Sequence, residues 1–305
     1  MTAGPLILVL GPTATGKSEV AAAIARDLGG EIVSADAFAV YRGLDIGTAK
    51  PSRALQGEIP HHLIDVADPV EAFSAGRWSA AAATAISAIE SRGRVPIVAG
   101  GSHFYVRALL HGLPGTEVVS TALREYFRAP WSEDARRSRK RMVDVLDPAY
   151  GAGVPAADTA RIGRVLEIVF TTGIRVSARR VEPAAFAGRP LLKLALQFAR
   201  QAIYTRVENR VSAMWQAGWP REVEELLAAG VPDTAPAFRA IGYRELAQRA
   251  AGKLSEDEAF ARTVSRTRAL AKRQATWLAT EPGLELADPA DAVRRAAAFW
   301  KAARG

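Results

Sequence analysis

The stretch Gly11-Pro12-Thr13-Ala14-Thr15-Gly16-Lys17-Ser18 constrains this chain more than any other. It fits the pattern G-x-x-x-x-G-K-[ST], follows the apolar run Leu6-Ile7-Leu8-Val9-Leu10 directly, and opens a helix-prone segment that runs to Leu28. Glycines at both ends let the backbone curl until consecutive N–H groups face an anion, and the helix N-terminus adds about half a positive charge. Lys17 brings a mobile ammonium to phosphoryl oxygens, and the Ser18 hydroxyl suits magnesium. Such a loop works only where a buried strand turns sharply into a helix, so it points to an α/β fold with a parallel sheet.

The flanking pattern agrees. Residues 31–34 and 95–99 read as buried strands, 77–90 as a helix, and Gly29-Gly30 and Ser91-Arg92-Gly93 as stops, which gives a phosphate-loop parallel-sheet core with helices on both faces. From about residue 116 the texture becomes charged and helical over 121–128, 133–146 and 158–171, before Leu191-Leu192-Lys193-Leu194-Ala195-Leu196 returns to a strand pattern. The expected organisation is a first part of the core over 1–114, a helical insertion over 115–190, and a return to the core sheet with C-terminal helices over 191–305. The stretch after that returning strand reads as helical throughout.

Composition excludes some chemistry. There is no cysteine, which rules out disulfides and thiolate metal sites. The N-terminal apolar run is too short to span a bilayer and lacks the basic start of a signal peptide, so no membrane partner is expected. The lack of cysteine permits a cytoplasmic setting, which is expected together with a monomer. The net charge of +8 favours a polyanionic partner.

A phosphate loop most often serves nucleoside triphosphate chemistry, so a kinase or NTPase is one reading. Such an enzyme usually holds a carboxylate at the end of a further buried strand, but here 95–99 runs into Gly100-Gly101-Ser102 without one. The first carboxylate after a strand is Asp36, in Ser34-Ala35-Asp36-Ala37-Phe38-Ala39-Val40-Tyr41. It falls on the sheet rim that carries the loop, where open α/β sheets bind ligands.

These blocks, with Tyr41-Arg42-Gly43-Leu44-Asp45-Ile46-Gly47-Thr48-Ala49-Lys50-Pro51, Pro60-His61-His62-Leu63-Ile64-Asp65, Arg161-Ile162-Gly163-Arg164-Val165-Leu166-Glu167, Ile241-Gly242-Tyr243-Arg244-Glu245 and Ala271-Lys272-Arg273-Gln274-Ala275-Thr276-Trp277, resemble the tRNA dimethylallyltransferases. The resemblance runs in order along nearly the whole chain. It implies that the loop (Gly11, Pro12, Thr13, Ala14, Thr15, Gly16, Lys17, Ser18) and Arg206 bind dimethylallyl diphosphate, with magnesium as cofactor. It implies as substrate the anticodon stem-loop of tRNA, with the insertion gripping the stem, and transfer to the adenosine 3′ of the anticodon. Asp36 is then the base, Lys17 the leaving-group cation, and Ser102 stands where the family usually has threonine, orienting the amine. Contacts to tRNA fall on Asp36, Ala37, Phe38, Ala39, Ser102, Arg124, Ala160, Arg161, Ile162, Gly163, Arg164, Arg239, Ala240, Ile241, Gly242, Tyr243, Arg244, Lys272, Arg273, Gln274 and Trp277. The family's usual Asp-Ser-x-Gln is replaced by Asp36-Ala37-Phe38-Ala39, and its Thr-Gly-Leu by Ser102-His103-Phe104.

On a helical wheel, Arg266, Arg268, Lys272 and Arg273 form a basic half opposite Leu270, Trp277 and Leu278, with Arg266 near the border. His61 and His62 read as structural, Asp65 as either a magnesium ligand or a helix cap, and Ser102 alternatively as a helix N-cap. A transferase acting on free adenine nucleotide and a non-catalytic RNA-binding protein complete the alternatives.

Overall fold

The computed structural model describes residues 4–113, 121–179, 186, 188–196 and 198–303. The domain boundary expected at 114/115 lies outside them. The chain divides into two compact units, Met1–Leu110 with Ala185–Gly305, and His111–Ala184.

The first unit is an α/β fold. Its sheet has six strands in the order β3-β2-β4-β1-β5-β6, from β1 (Leu6–Leu10), β2 (Gly30–Ala35), β3 (His61–His62), β4 (Val95–Gly100), β5 (Leu191–Leu196) and β6 (Leu284–Ala287). Every pairing is parallel. β1 lies between β4 and β5, and all five of its residues are at most 1% exposed, as a strand covered on both faces must be. Ile7 and Val9 join a cluster with Ile24 of helix α1 (Lys17–Leu28) and Ala292 and Ala296 near the C-terminus. Each large side chain removed from water here contributes about 1.5–3 kcal/mol. β6 corrects the all-helical reading of the C-terminal stretch: Glu285 and Leu286 are exposed, so a short edge strand shows no apolar run.

Four further helices complete the first half of this unit and begin the second unit: α2 (Arg53–Glu58), α3 (Ala75–Ser91), α4 (His103–His111) and α5 (Thr121–Arg128). α6 (Glu133–Leu146), α7 (Pro148–Gly151) and α8 (Thr159–Thr172) follow in the second unit. Its core gathers Phe127, Val143, Ile162, Val165 and Leu166, with buried Asp147 accepting from Ser177 N–H and the Ser177 hydroxyl. Gly163 lets α8 lie close to α5: a Cβ there would sit 3.0 Å from the Phe127 carbonyl oxygen.

The C-terminal part adds α9 (Arg200–Gln216), α10 (Trp219–Ala228), α11 (Tyr243–Ala250), α12 (Glu256–Leu278) and α13 (Pro289–Ala302). Trp219 is the wedge that organises them. Cβ atoms at Gly47 and Gly242 would stand 2.1 and 2.0 Å from its ring, and Gly242 has φ +92°. Glu222, one turn further along α10, accepts the N–H groups of Asp45 (2.8 Å), Ile46 (2.7 Å) and Gly47 (3.3 Å) and the Tyr243 hydroxyl (2.6 Å). One carboxylate therefore pins the 43–50 loop to α11. Gly242→Ala combines a forbidden φ with overpacking, and we expect it to lower folding stability by about 3 kcal/mol, read as a fall in the urea midpoint.

Candidate active site

The C-terminal ends of β1, β2 and β4 enclose a cavity of about 480 Å³. Thr13, Gly16, Lys17 and Ser18 line one side, and Asp36, Phe38 and Ala39 another. The loop is held from within: the Thr15 hydroxyl and the Lys17 ammonium both donate to the Pro12 carbonyl, at 2.8 and 3.1 Å. Ala14 has φ +64° and Gly16 φ +83°. A left-handed alanine costs about 1–2 kcal/mol, strain of the kind that accumulates where a loop is shaped for a ligand.

Lys17 is out of its ordinary state. Burial, with Arg210 adding to it, pulls its pKa down to about 8, while Asp36 and Glu19 oppose the shift. Below that pH the folded protein carries the cost of keeping the ammonium charged, and this cost declines as pH rises from about 8 towards 10.5. An arriving anion reverses the shift, so above about pH 8 its binding is coupled to protonation of Lys17. Affinity for an unreactive prenyl diphosphate analogue should be flat below about pH 8 and weaken about tenfold per unit above it, while Lys17→Arg, which does not titrate there, stays flat. Calorimetric titrations across this range check it.

Asp36 sits where β2 ends. Its Oδ1 accepts the N–H groups of Phe38 (2.8 Å) and Ala39 (3.2 Å), a turn that fixes the carboxylate, and its Oδ2 accepts no hydrogen bond among the described residues. The rim is tight because Gly100 has no side chain: a Cβ there would lie 2.1 Å from the Ala35 carbonyl oxygen. That approach lets Ser102 N–H donate to Ala35 O at 3.1 Å and Ser102 Oγ accept from Ala37 N–H at 3.0 Å. Ser102 immediately precedes α4, and its hydroxyl proton remains available for donation.

Arg206 donates through Nε to the Ala14 carbonyl at 2.8 Å and lies over the Phe198 ring, so it braces the back of the loop. One turn on, Arg210 lines the cavity, as Arg206 does not. No hydrogen bond or ion pair engages the Arg210 guanidinium among the described residues, and burial pulls its pKa down against the attraction of Asp36 and Glu19. Sequence reading missed Arg210. Its signal was the i, i+4 spacing from Arg206, which puts both on one face of α9.

The RNA-contact set divides. Phe38, Ala39, Arg239, Ala240, Ile241, Arg273 and Gln274 line the cavity with Asp36, while Lys272 and Arg244 are exposed. Tyr243 and Gly242 are buried against Trp219 and Glu222, Ile162 lies in the core of the second unit, and Gly163, buried on α8, lines a cleft with Ala160 and Arg164. Of their neighbours in that unit, Ala160 and Arg161 are exposed, Arg164 pairs with Glu167 at 3.0 Å, and Arg124 is half-buried. Trp277 stacks on His103, centroids 5.1 Å apart.

The wheel assignment of α12 also needs correction. Leu270 lines the cavity beside Arg266 and Arg273, whereas Arg268 points elsewhere, over Tyr204 and onto Glu208 at 2.5 Å. Arg266 is bound by buried Glu245. The stripe 266–270–273 is thus one mixed face, and Leu270 belongs to the site.

His62 binds Glu31, which burial raises but Arg92 and His62 together hold below the usual carboxylate range, and His61 Nδ1 contacts the Ile59 carbonyl at 2.7 Å. Asp65 takes the buried Lys50 ammonium and begins no helix. Among the described residues no three His, Asp or Glu side chains group as a metal cage. A magnesium ion in this cavity would need few protein ligands, since it keeps waters and shares phosphate oxygens. Exposed Ser18, with Glu19 and Asp36 nearby, fits that requirement. Among the described residues no helix is long and apolar enough to cross a membrane.

The IPP transferase family model matches residues 39–281. The tRNA dimethylallyltransferase 1 of Citrifermentans bemidjiense is 43% identical over 278 residues, covering 90% of this chain and 89% of that protein. The tRNA dimethylallyltransferase of Myxococcus xanthus is 40% identical over 291 residues, covering 94% of each. The solved tRNA isopentenylpyrophosphate transferase of Bacillus halodurans superposes with a TM-score of 0.73 at 29% identity, covering 99% of this chain and 98% of its own. A eukaryotic dimethylallyltransferase acting on tRNA gives 0.81 over 96% of this chain and 78% of its own, and at 24% identity bears on the fold alone. Similar length, shared fold and a family match across most of the sequence converge: the chain belongs to the IPP transferase family.

Proposed function

We propose that this chain transfers a dimethylallyl group from dimethylallyl diphosphate to the exocyclic amine of the adenosine 3′ of the anticodon in tRNA, releasing diphosphate. The observation that carries it is one cavity holding the anion cradle of residues 16–18 and, facing it, a carboxylate with an uncommitted oxygen, Asp36. That pairing is what allylic substitution by a weak amine needs.

The amine nitrogen bonds to C1 of the dimethylallyl group as the C1–O bond to diphosphate breaks. Charge gathers on the leaving oxygens, where Lys17, the loop N–H groups and Arg210 stabilise it in a site already arranged for it. The amine gives up its proton to Asp36 Oδ2, and the Phe38 and Ala39 N–H groups keep that carboxylate aimed. Magnesium, held by Ser18 and the donor's phosphate oxygens, would neutralise further charge on the leaving group. The base enters unstacked, which costs a few kcal/mol and is least expensive in a single-stranded loop. Exposed Lys272 and Arg273, with Arg239, supply backbone contacts to offset it. The 111–184 unit, with Arg161 exposed on α8, grips the anticodon stem.

Protein, magnesium, dimethylallyl diphosphate and a tRNA with consecutive adenosines after the anticodon should yield a prenylated nucleoside on digestion and mass spectrometry. No such product, together with phosphate release from ATP in the absence of a prenyl donor, would assign the loop to nucleotide hydrolysis instead.

A further inference from the structure

Gln274 sits on α12 between two parts of the site that are remote in sequence. Its Oε1 accepts the N–H of Thr13 in the phosphate loop at 2.9 Å, and its Nε2 donates to the carbonyl of Gly101 at the end of β4, also at 2.9 Å. The side chain is 8% exposed. The fit is close on both sides: a Cβ at Gly101 would stand 2.4 Å from Gln274 Nε2, so the glycine is what admits the amide. One loop N–H is therefore committed to a side chain 261 residues away, and the loop's position is set from α12 as well as from β1.

The neighbours of Gln274 face other tasks. Arg273 is exposed and lines the cavity, and Lys272 is exposed. The resemblance assigns Lys272, Arg273, Gln274 and Trp277 together to RNA, but Gln274, at the cavity wall, has both ends of its amide committed to backbone groups of the protein.

We infer that Gln274 is a positioning residue for the donor, holding the phosphate loop in register with the rim that carries Asp36 and Ser102, and that it is not an RNA contact. The register matters because a displacement of about 1 Å at a reacting centre can cost on the order of 100-fold in rate. The inference rests on the reading of residues 11–18 as a diphosphate cradle. Gln274→Met keeps the length of the side chain and removes both hydrogen bonds. Gly101→Ala leaves the glutamine in place and drives its amide away from the rim.

The test measures, on the full chain with magnesium, the affinity for an unreactive prenyl diphosphate analogue by calorimetry and for an anticodon stem-loop RNA by fluorescence anisotropy. Thermal melts identify the variants folded at assay temperature. In each folded variant the expected result is a loss of about tenfold or more in analogue affinity, with RNA affinity within about twofold of wild type. Analogue affinity unchanged within about twofold in folded Gln274→Met overturns the inference, and a loss confined to RNA returns the residue to the RNA surface. Should Gln274→Met not fold, Gly101→Ala decides by the same criterion. A wild-type chain that binds no analogue contradicts the cradle itself, an outcome separate from the role of Gln274.

Discussion

Asp36→Asn should lower the rate of prenyl transfer by about 10²–10⁴-fold while leaving anticodon stem-loop affinity within a few-fold of wild type. The asparagine side-chain oxygen can still accept from the Phe38 and Ala39 N–H groups, so the turn after β2 survives. What disappears is the basic oxygen that takes the amine proton, a loss equivalent to about 3–5 kcal/mol of barrier. Single-turnover rates with saturating donor, read beside RNA binding, separate chemistry from recognition. Loss of RNA binding in step with rate would make Asp36 a recognition residue and leave the proton without an acceptor.

Lys17→Met should cost about 10²–10³-fold in turnover, comparable to removing one preorganised donor from a site where charge develops in the transition state. The effect should exceed its effect on donor affinity, because negative charge on the departing oxygens is greatest as the C1–O bond breaks. Stability moves the opposite way. The buried ammonium is held below its ordinary pKa, so a neutral side chain of similar length relieves a cost that the folded protein carries near neutral pH, and the melting temperature should not fall. A variant both slower and less stable would indicate that Lys17 holds the loop together through its bond to Pro12 O more than it serves the leaving group.

The sheet and its rim were legible in the sequence because both leave local marks. A five-residue apolar run behind a phosphate loop is a buried central strand, and a carboxylate directly after the next strand belongs to the same rim. β6 left no such mark: two of its four residues face solvent at the sheet edge. The site was legible in its backbone-bound parts, the 11–18 loop and Asp36, where motif and geometry are one thing.

Side chains that meet across the fold were a different matter. Glu222 reaching Asp45, Gln274 reaching Thr13 and Arg210 reaching the cavity are separated from their targets by roughly 180 to 260 residues, and no spacing rule connects such pairs. A block resembling a family also carries its structural residues and its contact residues together. Gly242 and Tyr243 owe their place to the face of Trp219 and the carboxylate of Glu222, and Ile162 and Gly163 to the closeness of α8 and α5. Only burial separates these from exposed Arg161, Arg244 and Lys272 beside them. The helical wheel failed on α12 for a related reason: an apolar residue can face a substrate cavity, as Leu270 does, and so share a face with arginines.

The proposed chemistry requires the donor to bind in the phosphate loop with its prenyl group beside Asp36. A crystal structure with magnesium and an unreactive dimethylallyl diphosphate analogue should show the diphosphate on the N–H groups of residues 14–18 with Lys17 and Arg210 against its oxygens, and the prenyl C1 directed at the space beside Asp36 Oδ2. Diphosphate bound elsewhere, or a prenyl chain leading away from Asp36, would contradict it.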